Sequence, residues 1–171
     1  MGKIAGLLLV IGGVAGIIYS WVCMQKERQI RLEECILFLQ KSAFAMESEK
    51  MKVVDYFAKY ISRDSLLNDV LHKIAKRLAT NTYPDGMLAW EEVFKEEERN
   101  FAFDKESMEI VIQSGNGFFG RSREENICFL NKSIRELEKQ KIKIKEKDTQ
   151  ERKVWVPVGM LGALMITILF I

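Results

Sequence analysis

The sequence predicts an all-α protein: a cytoplasmic bundle of about six helices flanked by an N-terminal and a C-terminal transmembrane helix. Three observations predict it. Two apolar stretches occupy the ends of the chain, residues 4–23 and 154–171, and every charged side chain except Lys3 lies between them. Between Gly16 and Pro84 there is neither glycine nor proline, which favours long helices over strands and turns. In the middle of the chain apolar residues recur at helical spacing.

The first apolar stretch offers 20 residues without a charge, inside the roughly 17–25 that a helix needs to cross a bilayer core. A short basic start followed by an apolar region also suits a cleaved signal peptide. Here, however, Tyr19, Ser20, Trp21 and Val22 precede Cys23 where small residues would mark a cut, so a retained anchor is expected. The second stretch of 18 residues spans about 27 Å at 1.5 Å per residue, just enough to cross. Trp21 and Trp155 fall at the domain-proximal ends of the two spans, where aromatic rings settle at the headgroup boundary. The expected division is an anchor at 1–23, a bundle at 24–138, a charged helical stalk at 139–153 and a second span at 154–171.

Within the bundle, Ile30, Leu37, Phe38 and Phe44 belong to a helix running out of the first span. Met51, Val54, Phe57 and Ile61 suggest a second helix. Leu67, Val70, Leu71, Ile74 and Leu78 trace one face of a third that Asp64 or Ser65 can cap. A turn over 83–86 leads into a helix with Leu88, Val93 and Phe94 on its apolar side. A short helix around Met108, Val111 and Ile112 starts near Asp104 and stops at Gly115. Ser122 and Glu125 form a capping-box pattern that opens a long helix through Ile127, Leu130, Ile134 and Leu137. The next positions in that register are Lys141, Ile144 and Asp148, so the apolar seam is expected to fail and the helix to leave the bundle as the stalk. Pro157 is placed to kink it at the membrane entry.

Charge sets the orientation. Of 26 Lys and Arg, 25 lie between the spans, several beside the span ends, so the positive-inside rule puts the central domain in the cytoplasm and both termini on the other side. The 24 acidic residues share that domain, which leaves it a net charge of only +1 and no basic stripe for nucleic acid. Cys23, Cys35 and Cys128 are odd in number and widely spaced, matching neither a disulfide framework nor a zinc site. His72 is the one histidine, so general-base, nucleophile and metal schemes lack their usual partner. No enzyme activity, metal or cofactor is expected.

Three segments are candidates for function. Gly12 and Gly16, and Gly159 and Ala163 in the other span, have the spacing that lets helix backbones approach in lipid. The spans can thereby pair with each other, with copies of themselves in a homo-oligomer, or with a larger membrane partner; the alternative is that the small residues serve only flexibility and fit to the bilayer. The segment Gly115-Asn116-Gly117-Phe118-Phe119-Gly120 has glycines like a phosphate loop, but no strand precedes it and no Lys-Ser/Thr pair follows. Its glycines reverse the chain, while Phe118 and Phe119 either plug the core, the favoured alternative, or offer an apolar partner contact. The helix over 91–99 carries Glu91, Glu92, Lys95, Glu96, Glu98 and Arg99, a mixed face that can steer a partner without strong net charge. Together with Glu97 its glutamates could suggest a metal cluster, but the histidines at i+3 that such a helical site uses are missing, and a solvated face is the plainer meaning.

Taken in order, the pattern resembles the stage III sporulation protein AB family over essentially the whole chain. The matching pieces are Glu27-Arg28-Gln29-Ile30-Arg31 after the first span, Ala89-Trp90-Glu91 after a turn, the glycine-bearing stretch 113–120, and Trp155 with Leu161-Gly162 at the last span. The resemblance implies a non-enzymatic component of the channel complex between mother cell and forespore, sited in the mother-cell membrane surrounding the forespore. It also implies that the helical domain is similar to a cytoplasmic domain of the inner-membrane platform protein of type II secretion and type IV pilus machines. The cytoplasmic partner implied is the ATPase stage III sporulation protein AA. The alternative is a membrane-tethered helical adaptor that holds a soluble partner without a transport role.

Overall fold

The computed structural model describes the backbone of residues 2–48, 52–61, 65–80, 85–120 and 122–170, and their side chains except at 2–11, 65, 167, 169 and 170. Among the described residues the chain is all-α, without a strand. The helices are α1 (Gly2–Ser48), α2 (Val53–Lys59), α3 (Ser65–Ala79), α4 (Gly86–Glu96), α5 (Glu98–Phe101), α6 (Lys105–Gln113), α7 (Asn116–Phe119) and α8 (Arg123–Phe170). The chain divides into two compact units, one of Arg28–Ile142 and one of Met1–Glu27 with Lys143–Ile171.

In the unit 28–142 the core is aromatic. Phe38 of α1, Phe57 of α2, Trp90 of α4 and Phe118 of α7 meet with ring centroids between 4.9 and 6.3 Å apart. Burying such rings contributes about 1.5–3 kcal/mol each. The period read from the sequence holds for α3, whose Leu67, Val70, Leu71 and Ile74 are all buried. It misplaces α1. Phe38 is inside as expected, but Ile30 and Phe44 are 53% and 70% exposed and Leu37 is exposed as well, while Leu32, Ile36 and Leu39 are buried. Apolar side chains sit on two sides of α1, and the neighbouring helices choose between them.

Helix ends follow local chemistry. Asp85 caps α4 by accepting from the Met87 amide at 2.9 Å, and Ser122 Oγ accepts from the Glu125 amide at 3.2 Å at the start of α8. The expected Asp64 cap and the turn residues 83 and 84 lie outside the described residues, as do Met51 and the Ser65 side chain. Helix α2 is short, and Ile61 lies beyond it, exposed. Between α4 and α6 the chain makes the one-turn helix α5, closed by Ala102 at φ 54°, a left-handed residue that ends the turn. The glycine-bearing segment is also helical, forming α7 rather than an open reversal.

Helices α1 and α8 run antiparallel. In the first unit Lys141 pairs with Glu33 at 2.6 Å, Gln40 donates to Glu138 at 3.2 Å, and Arg123 donates to the Glu47 carbonyl. In the unit formed by the two ends, Arg152 Nε donates to Gln25 Oε1 at 3.4 Å, and Gly159 sits against Ile18. After Leu137 the buried positions of α8 turn largely polar rather than ending: Gln140, Ile144 and Asp148 are 8%, 7% and 3% exposed. A buried carboxylate persists where it is partnered, as Asp148 is, so hydropathy alone misses it.

Candidate partner interface and terminal helices

The charged helix α4 is a two-sided element. Ala89, Trp90, Val93 and Phe94 face the core, and the Trp90 indole donates to the Val111 carbonyl at 3.1 Å, tying α4 to α6. On the opposite side the six residues expected to meet a partner divide into two groups. Glu96 takes Arg77 Nη2 of α3 on both carboxylate oxygens, at 2.8 and 2.7 Å, and Glu92 lies 3.7 Å from the same guanidinium. Lys95 pairs within the helix with Glu91 at 2.6 Å, and Glu98 and Arg99 are exposed at the start of α5.

Glu97 joins the first group. It accepts from Lys73 of α3 and, at 2.5 Å, from Asn100, whose own carbonyl accepts from Arg31 of α1 at 2.5 Å. The Lys73 hydrogen bond, with Asn100 second, holds the Glu97 carboxyl below its ordinary 4.5. The same contact raises Lys73, and the Glu91 hydrogen bond raises Lys95. Lys73 and Arg77 were not singled out in the sequence, although both lie on the polar side of α3, four residues apart.

Phe118 is 4% exposed, packed among Phe38, Phe57 and Trp90, so it is a core residue and presents no surface to a partner. Phe119 is half-buried and lies over Gly86, where an added Cβ would stand 2.5 Å from its ring. The surrounding glycines are demanded by closeness. A Cβ on Gly115 would come within 2.6 Å of the Trp90 indole, and one on Gly117 within 2.6 Å of Leu130; one on Gly120 would collide with Asn126.

At the ends of the chain, nothing among the described residues lies within 4 Å of a Cβ placed on Gly12 or Gly16, whereas a Cβ on Gly159 would meet Ile18 Cδ1 at 3.0 Å. Gly159 therefore serves the α1–α8 contact, and Gly12 and Gly16 leave a bare strip on α1; Ala163 is half-buried. Among the described residues no helix is long and apolar enough to cross a membrane. Both expected spans, 4–23 and 154–171, lie partly outside the residues whose side chains are described. Among the described residues no group of His, Cys, Asp and Glu could hold a metal ion.

The fold and the ion-paired seam define an all-helical protein whose first and last helices pair and whose short helices enclose an aromatic core. The chain belongs to the stage III sporulation protein AB family, which matches residues 3–171. No curated protein and no solved structure matches it. Family membership assigns it a role in sporulation.

Proposed function

We propose that the chain is a non-enzymatic integral membrane component of the channel complex between mother cell and forespore, acting as a platform that docks the ATPase stage III sporulation protein AA. The family match over residues 3–171, which includes both apolar ends, carries this reading. Residues 4–23 and 154–171 are its membrane spans, and the concentration of Lys and Arg between them keeps the helical unit in the cytoplasm.

The docking face is the outer side of α4 and its end: Glu91, Lys95, Glu98 and Arg99. Glu92 and Glu96, about half exposed, are turned to Arg77 and border that surface. The test uses the full chain in lipid nanodiscs and the purified ATPase. Exchanging the charges at Glu98 and Arg99 (Glu98→Lys with Arg99→Glu) keeps the net charge and is expected to weaken binding roughly tenfold, with salt weakening the wild-type complex. Equal binding by the exchanged variant moves the docking face elsewhere. A folded wild-type chain that never binds the ATPase leaves the tethered-adaptor role instead.

A further inference from the structure

In the unit formed by the chain ends, α1 and α8 leave an open groove of about 570 Å³ between them. Its walls are aliphatic: Val14, Ile17 and Ile18 from α1, Val158 and Gly159 from α8. Gly159 lets the two helices close at its own level, against Ile18. The mouth is chemically different. Trp21, Trp155 and Glu151 line it together, placing two indoles and one carboxylate beside an apolar slot. Glu151 lies 3.9 Å from Lys147, one turn back on α8.

A slot of this size holds a small molecule or a single chain, since ligand sites run roughly 300–1,000 Å³. Its polarity selects the occupant. Indole faces and a carboxylate attract an ammonium group, and the aliphatic walls suit hydrocarbon. We propose that the groove holds one acyl chain of an amine-bearing phospholipid whose ammonium group lies at Glu151, Trp21 and Trp155. The site fixes a lipid to the paired terminal helices at the level where the aromatic belt meets the headgroups. This rests on the membrane-anchored reading above.

The test reconstitutes the full chain into vesicles of equal phosphatidylethanolamine and phosphatidylglycerol, then extracts it and identifies retained lipid by native mass spectrometry. Flotation is read first. A chain that fails to float with the vesicles overturns the membrane reading and the lipid site together, whereas floating without lipid preference overturns the lipid site alone. The wild type is expected to retain the ethanolamine lipid roughly tenfold over the glycerol lipid. Glu151→Gln is expected to bring that ratio near one, and Ile17→Trp, which fills the groove from an exposed position without touching Gly159, to lose bound lipid altogether. Retention at the bulk ratio, or an unchanged preference in Glu151→Gln, overturns the site. So does a photocrosslinker at Ile17 that captures a partner protein in native membranes instead of a lipid.

Discussion

Arg77 grips Glu96 through a single guanidinium nitrogen that reaches both carboxylate oxygens, fastening α3 to α4 across their polar sides. Arg77 is one-quarter exposed and Glu96 about half, so screening by water keeps the pair modest. Glu96→Gln is expected to cost roughly 0.5–1 kcal/mol in urea unfolding. Glu96→Lys places a cation beside Arg77 and is expected to cost more than the glutamine change. Wild-type stability in both variants would show that the contact carries no energy.

Gly117, like Gly115, is a buried glycine pressed against a core side chain. An added methyl would stand 2.6 Å from Leu130 Cγ, so Gly117→Ala is expected to destabilise by about 1–3 kcal/mol, measured by thermal unfolding. Gly12→Ala, with nothing within 4 Å of its Cβ position, serves as the comparison and should leave the midpoint where it is.

The Lys73–Glu97 contact imposes a pH window. Glu97 is held below its ordinary 4.5, so its contribution is complete above that value and is lost as pH falls through the depressed one. Lys73 is raised above its ordinary 10.5, so its contribution is complete below that value and is lost as pH rises through the raised one. The stability difference between wild type and Glu97→Gln should therefore be flat from about pH 6 to 9 and shrink below about pH 4. A difference that grows on acidification would reverse the sign and remove the carboxylate from the account.

Orientation is open to direct labelling. In a chain whose own cysteines are replaced by serine, a membrane-impermeant thiol reagent should reach a cysteine placed next to Gly2 and miss one placed at Lys95. Labelling at Lys95 in intact cells would put the helical unit on the other side and out of reach of a cytoplasmic ATPase.

Much of the fold was legible where one period dominated. Leu67, Val70, Leu71 and Ile74 on α3 repeat as a single stripe, and burial followed the stripe. The helix α1 was legible as a helix but not as a face, because Ile30, Leu37 and Phe44 form one apolar row and Leu32, Ile36 and Leu39 another. Only neighbours decide which row is covered. The same holds for α8, where Gln140 and Asp148 are buried although their hydropathy says otherwise. At the candidate site, the charges of α4 could be read from the sequence. Their division could not, since Arg77 claims Glu96 through a contact 19 residues away. Trp90 was visible only as part of the Ala89-Trp90-Glu91 stretch that carries the family resemblance, and its role in holding α6 comes from a hydrogen bond to a backbone atom that no side-chain pattern encodes.

The pairing of α1 with α8 also sets a timetable. Gln40 waits for Glu138, and Gln25 for Arg152, across separations of 98 and 127 residues. Translation at about 5–20 residues per second needs several seconds to make the chain from the end of α1 to the start of α8. For that interval α1 has emerged without the helix that will lie beside it, and closing so long a loop is itself slow. The short helices α2 to α7, whose partners arrive within a few tens of residues, can assemble around Trp90 in the meantime, so the long helix made first is among the last to be fully enclosed.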